Sequence, residues 1–270
     1  MQIITQSDQQ FKALNAYFDK IYILTIPRNE ARRQFLDQHL AGLHFHYFYG
    51  ADGQKLNLEE MERKGEFNKV QSKTNYTTTV KKFSFTHLER ELHLNEVACA
   101  LSHKMMYEDI VRNQFEKALI LEDDVAVEPQ KLVHAEQVLR ELPPDWELFY
   151  AGYLPTMLTE NFGDQVEGRR KLITNLYRMG FRWGKVKERY LGYAKPLSKH
   201  ITAGGSYWGT HAYAVTQKAA QKLAAVQTPL TWVADHLLTH ASTSGLLKVY
   251  AASPELFVQN RNEFKSSIWS

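Results

Sequence analysis

The sequence predicts an α/β fold: a single domain with a mostly parallel central sheet flanked by helices. Three observations carry that prediction. β-Branched and aromatic runs at 19–26, 43–49, 118–121 and 146–150 alternate with helical patterns at 30–40, 96–112 and 129–142, and such alternation favours parallel strands joined by right-handed crossovers. With 270 residues, 44% of them hydrophobic, the chain can bury a sizeable core in one unit. No internal repeat or low-complexity tract divides it.

Each element follows from local patterning. Asp19–Ile26 (DKIYILTI) reads as a strand ended by Pro27, and Asn29 is placed to cap an amphipathic helix through Leu40 that Gly42 closes. Leu43–Tyr49 is strand-like and runs into the turn Gly50-Ala51-Asp52-Gly53, completing a βαβ unit. Asn57 begins a short helix with Glu60 in the capping-box position. The Thr- and Lys-rich stretch Val70–Thr86 is expected to be a loop, after which Asn95 is expected to cap a helix over Glu96–Arg112. Ala118–Leu121 is a buried strand that meets Glu122-Asp123-Asp124. Pro129 suits the first turn of a helix through Leu142, Pro143-Pro144 ends it, and Trp146–Tyr150 is a further strand. After a break in the pattern, Gly204-Gly205-Ser206-Tyr207-Trp208-Gly209 is a glycine and aromatic segment. Thr216 then caps a helix through Val226, and Leu246–Ala251 is a last strand.

Composition narrows the function classes. A formal net charge of +3 is too weak to imply nucleic-acid binding over the whole surface. The basic character is local: 161–199 holds ten Lys or Arg against three acids, a net +7 where the rest of the chain carries −4. The single cysteine, Cys99, rules out an intramolecular disulfide and suits a reducing compartment. The start MQIITQSDQQF lacks the basic and apolar regions of a signal peptide, and no stretch approaches the roughly 18 apolar residues of a membrane span. A cytoplasmic protein is expected, with peripheral contact at the cytoplasmic face of the inner membrane left open.

The sharpest chemical feature is Leu119-Ile120-Leu121-Glu122-Asp123-Asp124-Val125, three consecutive carboxylates at the carboxyl end of an apolar strand. Burying that strand carries negative charge to the sheet edge, which a hard divalent ion would neutralise. Ligands gather where the strands of open α/β sheets end, so Glu122 and Asp124, pointing the same way on a strand, are the metal candidates, and Asp123 is free for a ribose hydroxyl or a helix end. A solvated acidic turn is the bland alternative. Asp235 lies in Thr231-Trp232-Val233-Ala234-Asp235-His236, an apolar and aromatic setting suited to a general base or to a helix cap. Ser102 and His103 sit in the helix before the acidic strand, either touching a ligand or filling the core. Arg28, Arg32 and Arg33 follow the first strand and fit phosphate recognition or a solvated helix face. His211 suits Mn²⁺ if its loop folds over the acidic strand. In the basic segment Arg178, Arg182, Lys185 and Arg189 interleave with Tyr177, Phe181, Trp183, Tyr190 and Tyr193, although Gly180 and Gly184 weaken any helix there. Sugar rings, acceptor phosphates, anionic lipid headgroups and plain solvent are all compatible with it.

Taken together these residues resemble the family 25 glycosyltransferases, which include bacterial lipooligosaccharide galactosyltransferases. The resemblance runs through Ile21-Tyr22-Ile23-Leu24-Thr25 with Arg28 and Arg33, Tyr49-Gly50-Ala51-Asp52-Gly53, and Asn95-Glu96-Val97-Ala98-Cys99-Ala100-Leu101-Ser102-His103. It continues in Leu119 to Val125, Gly209-Thr210-His211-Ala212-Tyr213-Ala214-Val215 and Asp235. The resemblance implies a GT-A-like fold, a UDP-sugar donor (often UDP-galactose), Mn²⁺ or Mg²⁺, a lipooligosaccharide or other glycan acceptor, and inversion at the anomeric carbon. Thr25, Pro27, Arg28, Arg33, Asp52, Ser102, His103 and Asp123 then fall on the donor, Glu122, Asp124 and His211 on the metal, and Asp235 on the acceptor hydroxyl. The chain departs from relatives in reading Leu-Thr-Ile-Pro-Arg where an Asn-Leu pair is common, and in the basic insert at 161–200. Two other classes fit parts of the sequence: a basic module binding membrane or nucleic acid through that insert, and a metal-dependent phosphohydrolase using the same carboxylates.

Overall fold

Local sequence rules account for most elements of the computed structural model, which describes residues 6–83, 88–156 and 163–260. Helix α1 (Gln6–Tyr17) precedes the βαβ unit β1 (Lys20–Thr25), α2 (Glu30–His39) and β2 (His46–Tyr49). In α3 (Leu58–Arg63) the cap is as expected, Asn57 Oδ1 accepting from the Glu60 amide at 3.1 Å. The stretch expected as a loop is α4 (Lys69–Phe83) as far as it is described, 84–86 lying outside the described residues. Its polar composition conceals one buried stripe, Ser72, Tyr76, Thr79, Val80 and Phe83, at helical spacing. Helix α5 (Leu94–Arg112) starts before Asn95, because the capping residue is His93, whose amide donates to Glu96 Oε2 at 2.8 Å.

The acidic strand is β3 (Lys117–Glu122), followed by β4 (Val125–Val127). A single helix expected through Leu142 is two, α6 (Pro129–Leu132) and α7 (Ala135–Glu141), and Leu132, Ala135 and Val138 all reach the core. Strand β5 (Leu148–Pro155) leads to the basic insert, where the described residues form a helical hairpin of α8 (Gly163–Arg178) and α9 (Gly184–Gly192), with Gly180 and Gly184 at positive φ in the turn. The chain continues as β6 (Lys195–Pro196), β7 (Ile201–Ala203), β8 (Tyr207–Thr216), α10 (Gln217–Val226), α11 (Ala234–Ser244), β9 (Val249–Ala252) and β10 (Phe257–Gln259).

Eight strands form the central sheet in the order β2-β1-β3-β8-β5-β9-β7-β6, and β4 pairs with β10 in a separate ribbon. The pairings set β7 and β8 against the direction of the other six, so the sheet is α/β in class and mostly parallel in strand direction. Both faces are covered, which is why the strands read as continuous apolar runs. On one face Ile23, Leu121 and Ala214 pack with Phe11, Leu36 and Val138; on the other Tyr22, Ile120 and Tyr213 pack with Met106, Leu223 and Leu238.

The reversed strand matters most for the site. Because β8 runs antiparallel to β3, with Leu121 opposite Ala212, the start of β8 lies beside the carboxyl end of β3. Thr210 and His211 therefore meet the acidic triplet.

Candidate functional site

A cleft opens at the carboxyl ends of β1 and β3. Thr25, Arg28, Asn29 and Arg32 line it from the β1–α2 segment, Ala51 and Gly53 from the turn after β2, Asn95, Cys99 and Ser102 from α5, and Glu122, Asp123, Asp124 and Gln259 from the acidic edge. The turn after β2 approaches α5 so closely that a Cβ on Gly50 would lie 2.4 Å from Ser102 Oγ. Ser102 Oγ accepts from the Ala51 amide at 2.9 Å and donates to the Ala98 carbonyl at 2.7 Å, locking turn to helix. Asp52 caps the short 3₁₀ turn that follows, accepting from the Gln54 amide at 3.1 Å, and pairs with Arg28 at 2.8 Å.

The three carboxylates have different surroundings. Asp123 is buried and accepts from Thr25 Oγ1 at 2.7 Å, Asn29 Nδ2 at 2.8 Å and Arg32 at 2.6 Å, which explains why the Asn29 side chain does not cap α2. Arg33 points the other way, donating to the Ile26 and Pro27 carbonyls at 2.7 and 2.9 Å, so it shapes the loop without lining the cleft. Glu122 accepts from Thr210 Oγ1 and, at 3.2 Å, from His103 Nε2; the other imidazole nitrogen meets Tyr213 Oη at 2.7 Å, and Tyr213 meets Tyr107 at 2.8 Å. Burial opposes the Glu122 charge, but the hydrogen bonds from His103 and Thr210 hold its carboxyl below the ordinary value.

Asp124 is the exception. It accepts from Gln259 Nε2 at 2.7 Å through Oδ2, while its buried Oδ1 has no hydrogen-bond partner among the described residues. Burial, reinforced by the neighbouring Glu122 charge, pushes its carboxyl up to about 7. Strand β10 brings Gln259 there, with the Asn260 amide donating to the Asp124 carbonyl at 2.7 Å.

Asp235 stands in the first turn of α11, accepting from the Gly209 amide at 3.3 Å and the His236 amide at 2.9 Å. It does not line the cleft directly, yet it belongs to the same electrostatic group. Burial first, and then Glu122, Asp235, Asp124 and Glu96, hold the Cys99 thiol far above its usual range. So much negative potential around one small volume favours a cation there.

The donor set fits a hard divalent ion. Glu122 and Asp124 offer carboxylate oxygens at the cleft, one of them buried and unpartnered, and such ions take one or two carboxylates with the rest of their shell from water and substrate phosphate. Among the described residues, Cys99, His103 and Glu122 also place ligand atoms within 4.8 Å of one another, but a thiol whose pKa is raised this far stays neutral and is a poor partner for such an ion. His211 is buried beside Glu122 and contributes to lowering its pKa.

Of the residues singled out by patterning or by the family resemblance, the structure brings the acidic triplet, Thr25, Arg28, Arg32 and Ser102 to one cleft and places Pro27, Arg33, Asp52, His103, His211 and Asp235 outside its lining. Sequence patterning misses Cys99, Asn95, Thr210 and Gln259. The first two lie on the helix quoted for the resemblance, but nothing local marks a C-terminal glutamine that returns through a two-stranded ribbon.

A family model described as glycosyltransferase family 25 (LPS biosynthesis protein) matches residues 18–238. Procollagen galactosyltransferase 2 of Mus musculus is 26% identical over 209 residues, covering 76% of this chain and 27% of the mouse protein. A glycosyltransferase 25 family member of Drosophila melanogaster is 25% identical over 190 residues, covering 68% and 29%. The chain thus spans under a third of the length of these relatives. Among solved structures, mannose-1-phosphate geranyltransferase from Thermus thermophilus aligns with a TM-score of 0.34 and 8% identity, over 91% of this chain and 63% of that one.

Proposed function

The chain belongs to glycosyltransferase family 25, and from that premise we propose that it moves a hexose, galactose foremost, from a UDP-sugar to a lipooligosaccharide or lipopolysaccharide glycan, with a divalent metal and with inversion. The observation that carries this reading is Asp124: a buried carboxylate with one bare oxygen beside a second carboxylate, at the edge of a cleft where β1 and β3 end. The galactosyltransferase name of the mouse relative supports the sugar, and the family description supports the glycan.

Glu122 and Asp124 would hold Mn²⁺ or Mg²⁺, which supplies positive charge against the charge that develops on a leaving diphosphate. The remaining work falls to the chain itself. Arg28, aligned by Asp52, presents a guanidinium to the donor phosphates, and Asp123 fixes the loop that carries it through Thr25, Asn29 and Arg32. Backbone and side-chain groups of Ala51, Asn95 and Ser102 line the wall where a uridine would rest. Asp235, oriented by two amides, accepts the proton of the acceptor hydroxyl as that oxygen bonds to the anomeric carbon and the bond to the UDP oxygen breaks. One displacement of this kind inverts the configuration.

The test is UDP release from a panel of UDP-sugars with Mn²⁺ and a truncated lipooligosaccharide acceptor, with and without chelator. Release from one donor that needs both metal and acceptor is expected. Phosphate release without sugar transfer would indicate a phosphohydrolase, and absence of both turnover and UDP binding would end the transferase reading.

A further inference from the structure

The turn between α8 and α9 exposes all eight residues from Arg178 to Lys185. Met179, Phe181 and Trp183 expose 73%, 44% and 67% of their surface, an unusual concentration of large apolar side chains in water. Arg182 stands between Phe181 and Trp183, and Arg178 and Lys185 flank the run, which holds no acid; among the described residues no ion pair involves these three. Phe181 and Trp183 lie 5.6 Å apart, and the Arg182 guanidinium rests 5.4 Å from the Tyr177 ring.

The hairpin is built into the fold. Tyr177 of α8 stacks on Tyr190 of α9 at 3.8 Å and 7°, Lys82 pairs with Glu188, and the Gly205 amide donates to the Leu191 carbonyl at 2.9 Å. Helix α9 packs on α11, and Ile173 of α8 joins Phe83, Tyr193 and Trp208. The inward apolar side chains are therefore already satisfied, and those of the tip are presented outward by a fixed support.

We propose that this tip docks the protein on an anionic lipid surface. Trp183 and Phe181 enter the boundary between headgroups and acyl chains, and Arg178, Arg182 and Lys185 meet lipid phosphates. Aromatic rings flanked by basic residues suit that boundary, where one end of each side chain is apolar and the other wet. A strand of nucleic acid needs a groove that tracks its backbone, whereas an eight-residue turn exposed throughout is convex. No described helix is long and apolar enough to cross a membrane, so contact through this hairpin is interfacial. The consequence for catalysis rests on the proposed transfer: α9 packs on the helix that carries Asp235, so docking would present that carboxylate to a lipid-linked glycan as part of one packed unit.

The experiment is co-sedimentation of the full chain, without nucleotide, with vesicles of phosphatidylglycerol in phosphatidylcholine and with phosphatidylcholine alone, across a salt series. Binding to the anionic vesicles that weakens with salt is expected. Each basic residue at such a surface is worth about fivefold in partitioning, so Arg178→Gln/Arg182→Gln/Lys185→Gln should lower it about a hundredfold. Phe181→Ala/Trp183→Ala should weaken binding while keeping its salt dependence. Both variants should melt as the wild type does and turn over a soluble truncated acceptor unchanged. Equal sedimentation with both vesicle types, or a triple variant that binds like the wild type, would overturn the proposal. So would retention of oligouridylate without vesicle binding, or slower turnover of the soluble acceptor. Because vesicle binding is read without substrate, failure of the transferase reading and failure of this one are separable.

Discussion

Replacing Asp124 by asparagine should stabilise the metal-free protein at neutral and alkaline pH while removing its response to metal. Burial and the adjacent Glu122 charge move the Asp124 carboxyl from 3.8 to about 7 in the folded state. Between those values the folded chain holds a proton that the unfolded chain has lost, so stability falls as pH rises through this window, and the contribution of this group is fully lost above the folded value. A gap of about three units corresponds to about 4 kcal/mol at 1.36 kcal/mol per unit. Asparagine has no charge to bury and retains an oxygen for the Gln259 amide, now 2.7 Å from Asp124 Oδ2. Urea unfolding in chelator should therefore show the variant and wild type equal near pH 4. Their difference should then grow by about 1.4 kcal/mol per pH unit and level off above about pH 7, with the variant the more stable. Added Mn²⁺ should raise the wild type by the linkage of a bound ligand and leave the variant nearly unmoved. Parallel pH curves would refute the titration, and an undiminished Mn²⁺ effect in the variant would refute the ligand assignment.

Three further outcomes follow from the geometry. Asp235→Asn should lower kcat by about a hundredfold or more with little change in donor KM, read from initial rates of UDP release; a loss under about tenfold would remove it as the base. Arg32→Ala strips one partner from a pair whose side chains are only 12% and 8% exposed, so it should cost about 3 kcal/mol in urea unfolding and weaken UDP binding by titration calorimetry. Gly50→Ala should destabilise by about 1–3 kcal/mol in thermal melts, because the new methyl would sit 2.4 Å from Ser102 Oγ and 2.7 Å from a Leu24 methyl. Adding Ser102→Gly to that variant should recover part of the loss.

The parts of this architecture that the sequence makes legible are those set by neighbours along the chain. Strand β1, helices α2, α3, α5 and α10 and the acidic end of β3 announce themselves through apolar runs, and the caps hold as read in α3 and in α10, where Thr216 accepts from the Ala219 amide at 3.2 Å. What stays hidden depends on partners distant in sequence. Helix α4 is disguised by threonines and lysines because only its buried stripe, not its composition, reflects the packing. The reversal of β8 has no local signature, since both faces of the sheet are covered and an antiparallel strand there carries the same apolar run as a parallel one. For the same reason the Thr210 hydroxyl on Glu122 and the Gln259 amide on Asp124, 88 and 135 residues away in sequence, could not be read from spacing.

Three adjacent carboxylates end β3, and their surroundings give them different parts. Asp123 has three donors, one of them a guanidinium, and serves as the knot that ties the β1–α2 loop to the acidic edge. Glu122 keeps its charge through a hydroxyl and an imidazole that is itself braced by Tyr213 and Tyr107. Asp124 receives a single neutral amide and leaves one oxygen bare, so the uncompensated electrostatic cost of the triplet collects there. A second cationic side chain at Asp124 would have relaxed that cost permanently, as Arg32 does for its neighbour, and would have left nothing for a metal to neutralise. Without a cation at this edge a proton is the simplest substitute for the missing charge, and burial beside Glu122 pushes the Asp124 carboxyl up to about 7. On the proposed metal reading, a divalent ion held by Glu122 and Asp124 would recover part of the free energy lost when that proton leaves, so metal affinity and the pH dependence of stability would both trace to the burial of this one carboxylate.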